Sequence, residues 1–372
     1  MKELRIKDIC DKGSSNLKQK DVEGKNGQYP VYGAGGIISY IDTYHQEDNY
    51  IAIVKDGSGI GRVTFMPAKS SVIGTMQYIL PKEGFNINYI GYCLQSLDLS
   101  KYKQGAAIPH IYFRDYGERI VKVTEDLNEQ QSIVDYLDSA FAKIDAMKAN
   151  AEKALNEAKA LFQASLKEML EPKEGWEEKT LKALTNKIGS GATPRGGRKI
   201  YIEKGCHLIR SMNVQYDEFK YENLAHITDE AADQLKGVEI QDNDVLFNIT
   251  GASIARCCVV PTDVLPARVN QHVSILRLKQ DVLPRFLSFT LNSPKHQKEL
   301  LKIGEAGSTR QALTKMDLEN HIICYPNIDG QTKILFTLDS IKSKVDRLQA
   351  NYEKISKECD ALKQAVLRQV FE

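Results

Sequence analysis

Two stretches of the chain repeat one helical pattern of apolar positions. Residues 127–171 and residues 328–372 align without a gap at a constant offset of 201, and identical residues such as Leu137 and Leu338 keep that register. Apolar or small side chains recur at alternating four- and three-residue steps, and neither copy contains Pro or Gly after its first turn. A 3.5-residue period held over several heptads predicts a coiled-coil helix, on the order of 60 Å long at 1.5 Å per residue.

The predicted seam consists of the apolar residues that recur at those steps. They are Ile133, Leu137, Ile144, Met147 and Leu161 in the first helix, and Ile334, Leu338, Ile341, Val345, Leu348, Ile355 and Leu362 in the second. Small residues of one copy align with larger residues of the other, as Ala154 does with Ile355. This predicts that the helices pack on each other, antiparallel as expected for repeats related by a two-fold axis. The alternative is that each long helix packs only on its own globule.

The segments before and between the helices have a different texture. Residues 1–126 and 172–327 carry short apolar runs bounded by Gly, Pro, Asn and Asp, a pattern typical of β-rich globules with a few helices. We therefore predict an α+β fold in which two β-rich α/β globules alternate with two long helices, 127–171 and 328–372, that form an intramolecular antiparallel coiled coil.

The two globules also resemble each other weakly. Residues 48–67 align with residues 242–261 at an offset of 194, which keeps Arg62 over Arg256. The predicted order of parts is thus globule, helix, globule, helix.

Composition excludes several classes of protein. The 372 residues are 42% hydrophobic and 27% charged, the balance of an ordinary globular protein. No apolar run reaches the roughly 20 residues of a membrane span, and the charged start lacks the apolar core of a signal peptide, so we expect a cytoplasmic protein with no membrane association. Seven cysteines without a CxxC pair predict neither a disulfide framework nor a zinc ribbon.

Catalytic motifs are weak throughout the chain. The Gly-rich run at residues 56–61 has neither the spacing of a dinucleotide fingerprint nor a P-loop ending, and the chain has no Pro-Pro dipeptide of the kind that amino-methyltransferase motifs contain. Seven histidines include no HExxH and no Cys/His ligand spacing. We therefore expect no catalytic residues and no metal.

Local motifs and the helix repeat together resemble a known family. GQYPVYGAGGI at residues 27–37 and KDGSGIGRV at 55–63 in the first globule are similar to recurring patterns of the specificity subunits of type I restriction-modification systems. In the second globule LIRSMNV at 208–214, RVNQHVSILRL at 268–278 and GSTRQALTKMDL at 307–318 are similar to them as well. The resemblance covers essentially the whole chain.

That resemblance implies a non-catalytic subunit of an adenine-N6 DNA methyltransferase complex. In the family, each globule reads one half of a split target in double-stranded DNA, and the helices set the spacing and dock two methyltransferase subunits, with endonuclease/translocase subunits joining for cleavage. S-adenosylmethionine, ATP and Mg would be bound by these partners, leaving no cofactor for this chain. A modification-only system is equally compatible with the sequence.

Residues that contact DNA are expected beside glycines in the globule loops. Arg suits guanine, Gln and Asn suit adenine, and basic side chains hold phosphates. The candidates in the first globule are Lys25, Tyr32, Lys55, Ser58, Arg62, Gln77, Lys103 and His110. Those in the second are Arg195, Arg198, Lys199, Arg210, Asn213, Thr250, Ser253, Arg256, Arg268, Gln271, His272, Arg310 and Gln311.

Charge limits how tightly the chain alone should hold DNA. The net charge is +1, and the globules carry 16 basic against 15 acidic and 21 basic against 19 acidic side chains. Because phosphate neutralisation supplies most non-specific affinity, we expect the isolated subunit to bind DNA weakly. The alternative function is a scaffold that presents two globules to protein partners at a spacing set by the coiled coil.

Overall fold

The computed structural model describes residues 1–105, 108–305 and 311–372, and for Arg198 the backbone alone. The chain divides into two compact units. Unit 1 consists of residues 1–153 with 351–372, and unit 2 of residues 154–350. Each unit therefore holds one globule and a part of both long helices.

The globule of unit 1 is built on a four-stranded antiparallel sheet in the order β2-β8-β5-β6. Its strands are β1 (Lys2–Arg5), β2 (Cys10–Ser14), β3 (Tyr29–Gly33), β4 (Gly36–Ile41), β5 (Tyr50–Val54), β6 (Val63–Met66), β7 (Ser71–Val72), β8 (Met76–Pro81) and β9 (Ile120–Val123). Its short helices are α1 (Ile6–Ile9), α2 (Gln19–Val22), α3 (Ile87–Ser96) and α4 (Phe113–Tyr116). Strand β5 is buried along its whole length, as its unbroken apolar run predicts.

Unit 2 repeats this sheet in the order β11-β20-β17-β18. Its strands are β10 (Glu177–Thr180), β11 (Thr185–Ser190), β12 (Tyr201–Ile202), β13 (Cys206–Ile209), β14 (Val214–Gln215), β15 (Glu218–Phe219), β16 (Ala225–Ile227), β17 (Val245–Asn248), β18 (Cys257–Val259), β19 (Ala267–Val269), β20 (Val273–Leu278) and β21 (Ile322–Tyr325). Its shorter helices are α6 (Leu181–Leu184), α7 (Asp229–Gln234), α8 (Pro284–Asn292), α9 (Pro294–Glu305) and α10 (Lys315–Asn320).

The remaining sheets show where the globules agree and where they diverge. In both, the first strand pairs antiparallel with the last, β1 with β9 and β10 with β21. A further sheet has the order β4-β3-β7 in unit 1 and β12-β16-β13-β19 in unit 2, and each contains one parallel pair. The weak resemblance between the globule sequences thus reflects one shared scaffold.

The two long helices are α5 (Leu127–Met169) and α11 (Ile328–Phe371). Each begins after a capping side chain: Asp126 Oδ1 accepts from the Asn128 N–H at 2.8 Å, and Asn327 Oδ1 accepts from the Gly330 N–H at 2.9 Å. Such caps satisfy N–H groups that have no partner inside the helix. Within the described residues, none of the helices is long and apolar enough to cross a bilayer.

The helices pack antiparallel within each unit. In unit 1, Lys363 Nζ lies 2.6 Å from Asp145 Oδ1, and the Cys359 thiol donates to the Ile144 carbonyl at 3.7 Å. In unit 2, Lys159 Nζ donates to Gln349 Oε1 at 2.8 Å. Residue numbers rise along one helix as they fall along the other. The predicted α+β fold with an intramolecular antiparallel coiled coil is confirmed.

The predicted seam residues differ in burial. Leu137, Ile144 and Leu338 are buried, and Leu137 and Leu338 each belong to the core of their own globule. Half-buried positions are Ile133, Ile334, Ile341, Val345, Leu348 and Ile355. Three predicted residues are instead exposed to solvent: Met147, Leu161 and Leu362 are 57%, 61% and 46% exposed.

Two of these three residues, Met147 and Leu161, lie in α5. In the same helix Leu155 is buried, and Phe162, one position after the exposed Leu161, is half-buried. Because apolar residues occupy neighbouring positions along this helix, the 3.5-residue repeat can be assigned in two ways that differ by one residue. Burial against the globules, which periodicity alone does not specify, decides between them.

Candidate nucleic-acid interface

In unit 1, a Gly-rich loop follows the central strand β5. This loop, residues 55–62, is called loop A. Backbone hydrogen bonds fasten it to a distant segment: Gly57 N–H donates to the Pro109 carbonyl and Ile111 N–H to the Lys55 carbonyl, both at 2.9 Å. Gly57, Gly59 and Gly61 have φ between +82° and +85°, a region that favours glycine. The arrangement brings Lys55, Ser58, Arg62 and His110 to one edge of the globule.

Arg62 lies across loop A. Its guanidinium donates to the Ala34 carbonyl at 2.9 Å. A Cβ added at Gly59 would come within 2.8 Å of Arg62 Nη2. A glycine at this position therefore leaves room for the Arg62 guanidinium. Arg62 is exposed, and the donors that it does not use inside the protein are available to an acceptor such as a guanine edge or a phosphate.

His110 stands beside loop A in a ring stack. Its Nδ1 is hydrogen bonded to Asp56 Oδ1, and its ring stacks on Tyr112 with centroids 5.7 Å apart and an interplanar angle of 19°. The guanidinium of Arg114 lies 4.7 Å from the Tyr112 centroid. Asp56 is therefore the carboxylate that orients the His110 imidazole.

Unit 2 has the equivalent loop after β17. This loop, residues 249–256, is called loop B. Gly251 N–H donates to the Gln311 carbonyl at 3.2 Å, and Leu313 N–H donates to the Ile249 carbonyl at 2.8 Å, which are the counterparts of the two bonds that fasten loop A. The turn is preserved as well, because Gly251 and Ala255 have φ of +76° and +67°.

A groove of about 500 Å³ lies beside loop B. It is lined by Ser211, Met212, Gln215, Thr250, Gly251, Ala252, Ser253, Arg256 and His272. Four of the predicted contact residues, Thr250, Ser253, Arg256 and His272, therefore lie together. The Thr250 hydroxyl is hydrogen bonded to His272 Nδ1 at 2.6 Å.

Arg256 is the most constrained cation of this groove. Its Nη1 donates to Gln215 Oε1 at 2.7 Å, and its guanidinium lies 5.2 Å from the Tyr216 ring centroid. Its Nε is buried and has no hydrogen-bond partner among the residues that the structure describes. A guanidinium held in this way loses little side-chain entropy when it binds, which favours directional recognition.

Most other candidates lie on the surface. Lys25, Ser58, Lys103, Arg195, Lys199, Gln271 and Gln311 are exposed, and Lys55 and Tyr32 are half-buried. Burial raises the pKa of the Tyr32 phenol. Gln271 Oε1 accepts from the Thr193 hydroxyl at 2.7 Å. Arg310 and the side chain of Arg198 lie outside the described residues.

Four candidates use their polar groups inside the fold. Gln77 is 5% exposed and accepts from the Tyr116 hydroxyl, Asn213 is fully buried and bonds backbone groups, and Arg268 is 7% exposed and donates to the Ala232 carbonyl. Half-buried Arg210 donates to the Asn223 carbonyl at 2.6 Å. Because buried polar groups are spent on such bonds, Gln77, Asn213 and Arg268 lie outside the candidate interface. Arg210 differs from these three, because its Nε is buried without a partner among the described residues.

A sequence model of the type I restriction modification DNA specificity domain matches residues 1–157 and 173–357. The chain belongs to this specificity-domain family. It is 26% identical over 66% of its length to the specificity subunit of the *Escherichia coli* type I restriction enzyme EcoBI, and 20% identical over 66% to that of EcoKI from *Escherichia coli* K12. The chain covers 56% and 55% of the length of these two relatives.

Solved structures share the fold of this specificity-domain chain. A chain from a structure of the type I restriction-modification system, described for its assembly and conformational transition, superposes with a TM-score of 0.73 at 16% identity, over 98% of this chain and 96% of that one. The HsdS subunit of *Thermoanaerobacter tengcongensis* superposes with a TM-score of 0.55 at 16% identity, over 98% and 95%.

Sequence reasoning missed several residues of the candidate interface in this specificity-domain chain. Met212, Gln215 and Tyr216 line or border the groove at loop B, and Asp56 and Tyr112 hold His110. The motif LIRSMNV already pointed to the segment that contains Met212. Polarity alone predicts Arg210 and Asn213 of this motif as contacts, although the fold turns both side chains inward.

Proposed function

We propose that this chain is the non-catalytic DNA-recognition subunit of a type I restriction-modification complex. Each globule reads one half of a bipartite, asymmetric target in double-stranded DNA. The family match supports DNA specificity as the general role, and the two loops supply side chains suited to base edges and phosphates.

The observation that carries the proposal is the pair of equivalent loops. Loops A and B leave equivalent strands and are fastened by equivalent backbone bonds. The side chains they present differ, because Asp56 and Ser58 of loop A align with Thr250 and Ala252 of loop B. One scaffold with two sets of side chains suits a target with two unlike halves.

The coiled coil would set the distance between the half-sites. A helix adds about 1.5 Å per residue, and DNA rises about 3.4 Å per base pair, so seven residues correspond to about three base pairs. The outward faces of α5 and α11 would dock two methyltransferase subunits, and endonuclease/translocase subunits would join for cleavage. These partners would bind S-adenosylmethionine, ATP and Mg.

The test is to co-express the full chain with its genomically adjacent methyltransferase in a methylation-free host and to map methylated adenines. We expect two unlike half-sites separated by an unread spacer, with one methylated adenine in each. Absence of new methylation from an assembled complex that binds its methyl donor, or a palindromic motif, would contradict the proposal. The first outcome would favour the protein-interaction scaffold.

A paired insertion tests the spacing. Seven residues inserted in α5 and seven in the facing turns of α11 should lengthen the spacer by about three base pairs while leaving both half-sites unchanged. The matched control inserts seven residues in α5 alone, which should disrupt helix pairing and abolish methylation. An unchanged spacer in the paired variant would refute the role of the coiled coil.

A further inference from the structure

Two buried histidines of unit 2 face each other next to a carboxylate. His296 lies in the first turn of α9, and His321 follows the last residue of α10. His296 Nδ1 and His321 Nε2 are 2.8 Å apart, and Glu299 Oε2 lies 4.0 Å from His296 Nδ1. The two histidines are 6% and 7% exposed, whereas Glu299 is exposed.

We propose that His296, Glu299 and His321 form a binding site for a divalent transition-metal ion of the zinc class. The inference goes beyond the proposed function and does not depend on it. Two imidazoles and one carboxylate form a ligand set that suits zinc, while Mg²⁺ and Ca²⁺ prefer oxygen ligands.

The distances require movements of up to about 1.5 Å for the most widely separated pair of ligand atoms. Two ligand atoms on a tetrahedral zinc ion, each about 2.0–2.1 Å from the metal, lie about 3.3 Å apart. The imidazole pair must therefore open by about half an ångström, and the carboxylate must approach His296 by slightly more. All three ligand atoms already lie within 4.8 Å of one another. Rotation of the exposed Glu299 side chain supplies the larger movement.

The surroundings of the three residues also suit a metal. Glu299 and His321 line a surface cleft of about 720 Å³. This cleft gives the ion a path of entry and room for a water molecule as fourth ligand.

The bound ion would fasten α9 to the end of α10. Between these helices lies Gln311–Leu313, the segment whose backbone holds loop B. Unit 1 has a short 3₁₀ turn, Leu99–Tyr102, after α3 where unit 2 has α9 after α8. We therefore place this metal site in unit 2.

The test uses the untagged full chain, stripped with chelator and titrated with ZnCl₂. Equilibrium dialysis with elemental analysis should give one zinc ion per chain, and zinc at 100 times its Kd should raise the Tm of the transition that includes unit 2 by about 5 °C. MgCl₂ should do neither. H296Q and H321Q should abolish both effects.

E299Q provides a variant that leaves the core intact, because Glu299 is exposed. It should weaken zinc binding by on the order of tenfold or more. H226Q is the matched control: His226 and His207 form another close ring pair, with centroids 4.7 Å apart, but among the described residues no carboxylate completes a ligand set with them. C324S removes the thiol that is not fully buried.

Both control variants should bind zinc as the parent chain does. Binding that survives in folded E299Q and H321Q, or that disappears in C324S, would overturn the site. A folded parent chain that binds no zinc at 100 µM total metal, on the order of 100 times a micromolar Kd, would overturn it as well.

Discussion

The two units differ in the buried side chains at one end of the central sheet. In unit 1, the first residue of β5 is Tyr50, which is fully buried, and its ring centroid lies 5.1 Å from that of Tyr78. In unit 2 the equivalent residue is Asp244, also buried, and Arg277 of β20 binds both of its carboxylate oxygens at 2.8 Å. An aromatic pair therefore fills this end of the sheet in unit 1, and a buried ion pair fills it in unit 2. Equivalent sheets accept either pair as long as the space is filled and the buried polar groups are hydrogen bonded.

The largest effect should come from removing one partner of that ion pair. R277M leaves the Asp244 carboxylate buried and unpaired, which should cost about 3–5 kcal/mol of unfolding free energy. Y50F in unit 1 loses one hydroxyl bond, to Ser70, and should cost about 1 kcal/mol. Chemical denaturation of the full chain measures both variants.

The double variant D244L/R277M tests the cause. If the penalty of R277M arises from an uncompensated charge, replacing both partners by apolar residues should recover more than half of the loss. A double variant as unstable as R277M would show that packing, and not charge, closes the sheet of unit 2.

The junctions between globule and long helix are alike in the two units. Gln130 and Gln331 are fully buried, and each accepts from a backbone N–H at the start of a globule helix and donates to two backbone carbonyls. Q130L and Q331L should therefore each cost about 2–3 kcal/mol, because three backbone groups lose their partners. If the two variants lost free energies of unfolding that differ by more than about 1 kcal/mol, the net contribution of a typical hydrogen bond, the junctions would not be equivalent.

The turns of loops A and B differ at one position in a way that a reciprocal exchange can test. Gly61 has a φ of +82°, and a Cβ there would lie 2.9 Å from the Ser100 backbone nitrogen. Its counterpart Ala255 has a φ of +67° and is buried. G61A should cost about 2 kcal/mol because strain and a backbone contact add.

A255G should change stability by less than about 1 kcal/mol, because relief of strain offsets the loss of a buried methyl group. Thermal unfolding of both variants compares the loops directly. A larger loss from A255G than from G61A would show that the two turns are not equivalent.

The long helices could be predicted from the sequence because their pattern is local and repeated. The prediction gave the segments 127–171 and 328–372, and the structure has helices over Leu127–Met169 and Ile328–Phe371. The phase of the seam was wrong at Met147 and Leu161 because neighbouring apolar residues offered two inward stripes. Which of the two stripes is buried depends on contacts with residues distant in sequence.

The candidate interface could be predicted only in part for a related reason. The Gly-rich run predicts loop A, and the alignment at an offset of 194 predicts loop B as its counterpart. Arg62 and Arg256 occupy equivalent positions in that alignment. Gln77 and Arg268 have the chemistry of DNA contacts but lie inside the fold. Residue type specifies what a side chain can bind, whereas sheet topology decides which way it faces, and Gln215 reaches Arg256 only through that topology.

The last prediction concerns DNA binding and distinguishes the two proposed half-sites. Arg62 and Arg256 align in sequence, but among the described residues the Ala34 carbonyl holds Arg62, whereas Gln215 and the Tyr216 ring hold Arg256. In the assembled methyltransferase complex, R62A and R256A should each weaken binding by about 1 kcal/mol, or roughly fivefold, if each guanidinium makes one contact. R62A should relax preference within one half-site only, and R256A within the other.

Salt dependence identifies the kind of contact made by each arginine. A base contact changes sequence preference and leaves the salt slope intact, whereas a phosphate contact lowers the slope by about one and leaves the preference intact. Because Arg256 is held in place, we expect a base contact there, and Q215A should reproduce part of the R256A effect by releasing the guanidinium. If Q215A leaves binding unchanged while R256A weakens it, the restraint seen at loop B contributes nothing to recognition, and loops A and B use their arginines alike.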